Sequence, residues 1–315
     1  MNSIPSVNLK DFLSGDSNKK QQFIDKIGHA YETIGFVALK GHFLEDQLVD
    51  DLYSEINNFF DLPIATKEKY ETPGINGQRG YVSFGKESAK GKKEGDLKEF
   101  WHFGQYVASD SKYADEYPKN VTVEELKKFN EVGKKTYQML EKTAMYVLRS
   151  LALHLNLEET YFDKYIINGN SILRPIHYPP IATEPKGAER AAAHGDINLI
   201  TLLMGAHGKG LQVQNHQGQW VDAVAAPDEL MINVGDMLSR HSNNKLKSTI
   251  HRVTNPPKEL WGTSRYSIPF FMHPISEMKL DVLENCIDED NPKQFEDITA
   301  GEFLEQRLKE LGLKK

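Results

Sequence analysis

The chain has 315 residues, 39% of them hydrophobic and 26% charged, with a formal net charge of -7, a composition that excludes disordered, collagen-like and membrane-embedded classes. Its lysines and arginines are scattered, which argues against nucleic acid or an anionic membrane as partner and favours a small-molecule substrate. The single cysteine, Cys286, excludes an internal disulfide and a thiolate zinc cage and fits a reducing compartment, so the cytoplasm is the expected location.

In chain order, the N-terminal MNSIPSVNLKDFLSGD has no signal-peptide core, and no window reaches the roughly 18 to 20 apolar residues of a membrane span. Phe23, Ile27 and Tyr31 recur at helical spacing over 18–37, and Leu48, Leu52, Ile56 and Phe59 over 44–60, so two helices are predicted around the short strand GFVAL. From 74 to 104 the chain is rich in Gly, Lys and Ser, and KGKKEGD at 90–96 reads as a solvated loop between extended pieces. A long helix follows, with Thr122 as N-cap, Glu125 completing a capping box, and Leu126, Phe129, Tyr137, Leu140, Ala144, Val147 and Leu151 on one face as far as about Asn156. After Ile167 the pattern changes to short strands separated by turn residues: SILRPIHY, INLITLL, GLQVQ, WVDAV, LMINVG, IHRVT and RYSIPFFM. Such evenly spaced short strands predict a jelly roll or barrel. A last helix, GEFLEQRLKELG, is a candidate lid. No heptad seam supports a coiled-coil assembly, and the oligomeric state is not legible.

The chemistry is concentrated in AAAHGDINLITLL at 191–203. Side chains at i and i+2 of a strand share a face, about 6.5 to 7 Å apart at Cα, so His194 and Asp196 can converge on one ion while Gly195 points away. One imidazole and one carboxylate begin a two-histidine, one-carboxylate triad, which holds iron(II) and leaves coordination positions open. Most other histidines, among them His29, His42, His102, His154, His207, His216 and His273, fall in helical or loop contexts without a matching carboxylate. His251 differs, because an antiparallel roll can return its strand, NNKLKSTIHRVTNPP, beside the first. Downstream, Arg265 and Ser267 share a strand face in SRYSIPFF, where a guanidinium and a hydroxyl can hold a carboxylate. A hydrolytic zinc site is a poor fit, since no adjacent general base is evident.

The order HGD, GLQVQ followed by GQW, LMINVGDMLSRHSNNKLKSTIHRV, then RYS closely resembles the isopenicillin N synthase-like family of non-haem iron, 2-oxoglutarate-dependent dioxygenases. The resemblance extends upstream through LRPIHYPP, IPSVNLKDF, YETIGFVAL and FFDLPIATKEKY. It implies an α+β protein built on a double-stranded β-helix, a cupin-like jelly roll, with an N-terminal helical region and flanking helices. The segments expected are an N-terminal dioxygenase region at 1–120, a supporting helix and connection at 121–167, the iron and 2-oxoglutarate roll at 168–280, and a helical segment at 281–315. Iron(II) is expected on His194, Asp196 and His251, and 2-oxoglutarate on Arg265, Ser267 and Tyr178, with dioxygen as co-reactant. Hydroxylation of a small molecule, releasing succinate and CO2, is the commonest outcome in such a family, although desaturation or ring closure starts from the same radical.

Rivals to this reading are an isopenicillin N synthase-type oxidase without 2-oxoglutarate and a non-catalytic metal-binding or sensor protein. A metal sensor has no use for a carboxylate clamp, so Arg265 and Ser267 discriminate. Retention of Asp196 disfavours halogenation, and Ile176, where many plant members have the asparagine of NYYP, implies a changed cosubstrate contact. Gly195, often Thr or Glu in the family, is expected to widen the pocket. By position, Arg79 resembles an arginine that holds a substrate carboxylate, and Tyr81, Phe100 and Phe271 are expected to line the substrate pocket, which suits a small acidic or amphipathic metabolite.

Overall fold

The computed structural model describes residues 4–75, 77–86, 96–182, 190–205 and 210–310. The expected solvated loop lies outside the described residues except for Asp96, as do His207 and the end of the last helix. Among the described residues, helices α1 (Leu9–Phe12), α2 (Ser17–Thr33), α3 (Asp46–Phe60), α4 (Ile64–Lys67), α5 (Lys127–His154), α6 (Asp163–Ile166), α7 (Asp236–His241) and α8 (Ala300–Glu310) surround thirteen strands. None of the described helices is long and apolar enough to cross a membrane.

Local chemistry sets the helix limits. The Asp16 carboxylate accepts from the backbone N–H groups of Asn18 and Lys19 and so starts α2. The helix ends at Thr33, not at the expected residue 37, because Gly35 adopts a φ of 73° and a Cβ there would lie 2.2 Å from the Lys247 carbonyl oxygen. The expected capping box of the long helix does not form, and α5 begins at Lys127. Asn130 instead holds the preceding chain, accepting from Val123 N at 2.9 Å and donating to Val123 O at 2.8 Å, while Glu125 accepts from the Tyr70 hydroxyl.

Strands β1 (Ser6–Asn8), β2 (Phe36–Lys40), β3 (Gly80–Val82), β4 (Glu99–Gly104), β5 (Ile172–Leu173), β6 (Ile176–Tyr178), β8 (Ile200–Met204), β11 (Leu230–Val234) and β13 (Arg265–Met272) form one sheet in the order β1-β2-β11-β8-β13-β5-β4-β3, with β6 joining β13 to β4. A second sheet, β10-β9-β12-β7, is made of β7 (Ala191–His194), β9 (Leu211–Gln214), β10 (Trp220–Asp222) and β12 (His251–Val253). Strand alternation separates two apolar layers. Val37, Leu39, Leu202, Ile232 and Phe270 face outward against Ile27, Leu52, Leu140 and Leu148 of the helices, whereas Phe36, Ala38 and Met231 face inward against Leu211, Val213 and Val253 of the second sheet.

This is a double-stranded β-helix in an α+β protein, as the resemblance implied. The segment limits at 120 and 168 do not divide the packing, because β1 to β4 from the N-terminal region complete the same sheet as β5, β6, β8, β11 and β13. The C-terminal segment also belongs to this body: Phe303 of α8 is buried in the outer apolar layer.

Candidate active site

The mouth of the roll is organised by the pairing of β12 with β7, which sets His251 opposite His194. Val253 pairs with Ala191, so three steps along β7 match two along β12. This bulge lets Ala191 face the interior while His194 stands beside His251. Asp196 lies just beyond the end of β7, not on the strand as the i, i+2 argument assumed. Even so, one ligand atom from each of His194, Asp196 and His251 lies within 4.8 Å of the others.

The spare atoms of these three side chains are occupied, which aims the remaining ones at a common point. Nδ1 of His194 donates to the Ala192 carbonyl at 2.7 Å and Nδ1 of His251 to the Thr249 carbonyl at 3.2 Å, leaving both Nε2 atoms as lone-pair donors. These Nε2 atoms lie 4.0 and 3.8 Å from Asp196 Oδ1. Oδ2 of Asp196 accepts from Thr201 Oγ1 at 2.6 Å and Asn233 Nδ2 at 2.8 Å. Thr201 on β8 and Asn233 on β11 are register partners, so the large sheet delivers both donors together. Burial pushes the Asp196 carboxyl upward, but His251, His194, Asn233 and Thr201 more than offset it and hold the group below the usual range. His194 is open at the mouth, with 48% of its side chain exposed, but is enclosed by protein at longer range; that desolvation, followed by the adjoining His251, pulls it down to about 4.

The donor set therefore fits iron(II): two imidazoles and one carboxylate, each fixed from behind. Thr201 and Asn233 were missed in the sequence, although a polar residue inside the apolar runs INLITLL and LMINVG was the available signal. His273, set aside there as a loop histidine, follows β13; burial lowers it to about 4, against the opposing pull of Asp196.

The expected cosubstrate residues also come together. Tyr178 on β6 pairs in register with Arg265 on β13, and Ser267 pairs with Ile176. Tyr178 and Ser267 are buried, and the Arg265 guanidinium lies 5.4 Å from the Tyr178 ring centroid. Nη1 of Arg265 is buried without a hydrogen-bond partner among the described residues, which fits a side chain able to pair with a carboxylate.

The substrate-side expectations divide. Phe100, Val82, Ile176 and Tyr178 form a small apolar cluster on the inner face of the sheet, and Phe271 lies on the strand face that carries Arg265 and Ser267. Tyr81 is not among them. It pairs with Trp101 while Val82 pairs with Phe100, so its ring faces the outer core and its hydroxyl donates to Glu99. Arg79 is fully buried over Gly104, with Nη1 donating to Gln78 O at 2.6 Å, and so presents no open anchor. The guanidinium between the two phenyl rings belongs instead to Arg174, 4.4 Å from the Phe100 centroid and 5.3 Å from that of Phe271. Its Nε donates to Nε2 of His102 at 2.5 Å, and Nδ1 of His102 is 2.6 Å from the Gly77 carbonyl. His102 is thus a buried residue of β4, contrary to the loop context expected for it.

Residues 4–125 match the family described as non-haem dioxygenase in morphine synthesis N-terminal, and residues 169–274 match the 2OG-Fe(II) oxygenase superfamily. A 2-oxoglutarate-dependent dioxygenase of Dothideomycetidae sp. is 31% identical over 97% of this chain and 96% of its own length. The chain belongs to the 2OG-Fe(II) oxygenase superfamily. Among solved structures, a 2OG-Fe(II) oxygenase family protein of Caulobacter crescentus superposes on this oxygenase with a TM-score of 0.90 at 40% identity, covering 98% of this chain and 99% of that one. A full-length Neurospora crassa protein in complex with alpha-KG superposes with a TM-score of 0.84 at 30% identity, covering 97% and 96%. This oxygenase is accordingly an oxidoreductase that uses iron(II), 2-oxoglutarate and dioxygen.

Proposed function

We propose that the oxygenase hydroxylates a small molecule with a flat or apolar body and a carboxylate or carbonyl acceptor. Iron(II) would be held by His194, Asp196 and His251, and the far carboxylate of 2-oxoglutarate by Arg265, Ser267 and Tyr178. Bound together, iron(II), 2-oxoglutarate and dioxygen supply an oxidant able to take a hydrogen atom from carbon, with succinate and CO2 released. The chain's own residues set what is presented to it. Phe100 and Phe271 would hold the substrate body, and Arg174, kept in orientation by His102, would donate to its acceptor group. The reading rests above all on the Arg174 guanidinium being set between those two rings. The same Neurospora crassa protein, in a second structure matched at 28% identity, contains alpha-KG and thymine, a flat ring with two carbonyl acceptors, and its ligand is consistent with the same class here. The single cysteine favours work in the cytoplasm.

The test is a panel of small carboxylates and carbonyl-bearing heterocycles, scored by substrate-dependent succinate and by a product gaining one oxygen atom. With the best substrate, Arg174→Gln is expected to raise KM by roughly tenfold or more, the loss of one charge-assisted contact, while uncoupled succinate formation stays as it was. An unchanged KM, or turnover confined to cationic substrates, would overturn the assignment.

A further inference from the structure

Arg190 immediately precedes β7 and lies next to residues already placed in the site. It is 5% exposed, and its Nε and Nη2 atoms are buried without a hydrogen-bond partner among the described residues. Its guanidinium stands 5.5 Å from the Tyr178 ring centroid, and that of Arg265 stands 5.4 Å from the same ring. Two guanidiniums with unpaired buried N–H groups thus share one tyrosine. Burial, and then the charge of Arg265, make the Arg190 cation harder to keep, with Tyr178 opposing them only in part. Like charges brought together out of water, with donors unpaired, are stable company only when an anion joins them.

We propose that Arg190 is a second cosubstrate-binding residue, which shares the far carboxylate of 2-oxoglutarate with Arg265 beside the ring of Tyr178. A carboxylate has about four lone-pair directions, enough for two guanidiniums and a hydroxyl. The inference rests on the reading that Arg265 holds this carboxylate. It adds a consequence: the site recognises charge at the far end of the 2-oxo acid twice over, so acids without that carboxylate gain nothing from Arg190.

The experiment is an anaerobic titration of the Fe(II)-loaded protein with 2-oxoglutarate and, separately, with 2-oxobutyrate, which keeps the chelating end and lacks the far carboxylate. Binding is read from the visible charge-transfer band. Arg190→Gln is expected to weaken 2-oxoglutarate binding roughly tenfold or more and to leave 2-oxobutyrate binding within twofold, the latter doubling as proof that the variant is folded. Arg190→Lys, which keeps the charge without the fork, is expected to fall between wild type and Arg190→Gln, and serves if the glutamine variant fails to fold. Equal losses for both acids, or unchanged 2-oxoglutarate binding in both variants, would overturn the inference. Arg265→Gln separates the two claims. If it loses 2-oxoglutarate selectively while the Arg190 variants do not, only the role of Arg190 fails; if it too binds 2-oxoglutarate normally, the clamp reading fails with it.

Discussion

At the scale of single residues, the metal site depends on what stands behind its ligands. Asp196 Oδ1 faces the two imidazoles only because Thr201 and Asn233 occupy Oδ2. Asn233→Ala is expected to lower iron(II) affinity by about 10- to 100-fold, the usual effect of removing an outer-shell partner. Asp196→Ala removes the carboxylate of the proposed metal site and is expected to abolish metal retention while leaving a folded protein, since the roll is held by its apolar layers. Calorimetric titration of both variants with iron(II), alongside circular dichroism, checks the order; tighter binding by Asp196→Ala than by Asn233→Ala would reverse it. The grouping of these three candidate ligands was legible because His194 and Asp196 stand at the start of an apolar run and His251 recurs in a later strand. Arg174 and Arg190 were not, because the roles proposed for them depend on which rings the fold brings beside them.

Elements decide the rest of the site, and the failures of sequence reading are also at this level. Tyr81 and Val82 differ by one position, and the β3–β4 register alone determines that Val82 joins Phe100 inside while Tyr81 joins Trp101 outside. The start of α5 was misplaced because Glu125 binds Tyr70, a partner remote in sequence. Glycine positions show similar context dependence. A Cβ on Gly195 would meet Asp236 Oδ1 at 3.4 Å, Ser248 Oγ at 3.5 Å and Ile250 Cδ1 at 3.6 Å, so this glycine does not widen the pocket as expected; it faces those side chains. Gly195→Ala is accordingly expected to keep iron(II) binding close to wild type in the same calorimetric titration. Gly133 of α5 differs, because a Cβ there would come 2.2 Å from the Phe103 ring of β4, which is packed against Trp101 and Phe129. Gly133→Ala gains up to about 1 kcal/mol of helix propensity but overpacks a sealed core, at a cost of about 1–3 kcal/mol. A lower urea midpoint is therefore expected, and a raised one would mean that Phe103 can yield.

For the whole molecule, stability should depend on acid pH through histidines that the fold keeps neutral. His241 on α7 is 3% exposed, with Nδ1 2.6 Å from the Asp281 carbonyl and Nε2 3.0 Å from the Tyr161 hydroxyl. Burial lowers it to about 4, against the opposing pull of Asp281. Above the unfolded value, near 6.5, the ring is neutral in both states and adds no pH dependence. Between about 6.5 and 4 the unfolded chain takes up a proton that the folded protein refuses, so stability falls as pH falls. Below the folded value both states are protonated and the loss levels off, at up to about 3 kcal/mol for a shift of this size. His273 is lowered to about 4 by burial and acts in the same direction, so the contribution of His241 is isolated by difference. Urea unfolding of the metal-free protein from pH 7 to 4.5 is expected to show a falling midpoint for wild type and a shallower fall for His241→Asn, whatever the variant's stability at pH 7. Identical slopes would mean that His241 is protonated in the folded protein at little cost, and that the region where α7 meets Tyr161 admits water.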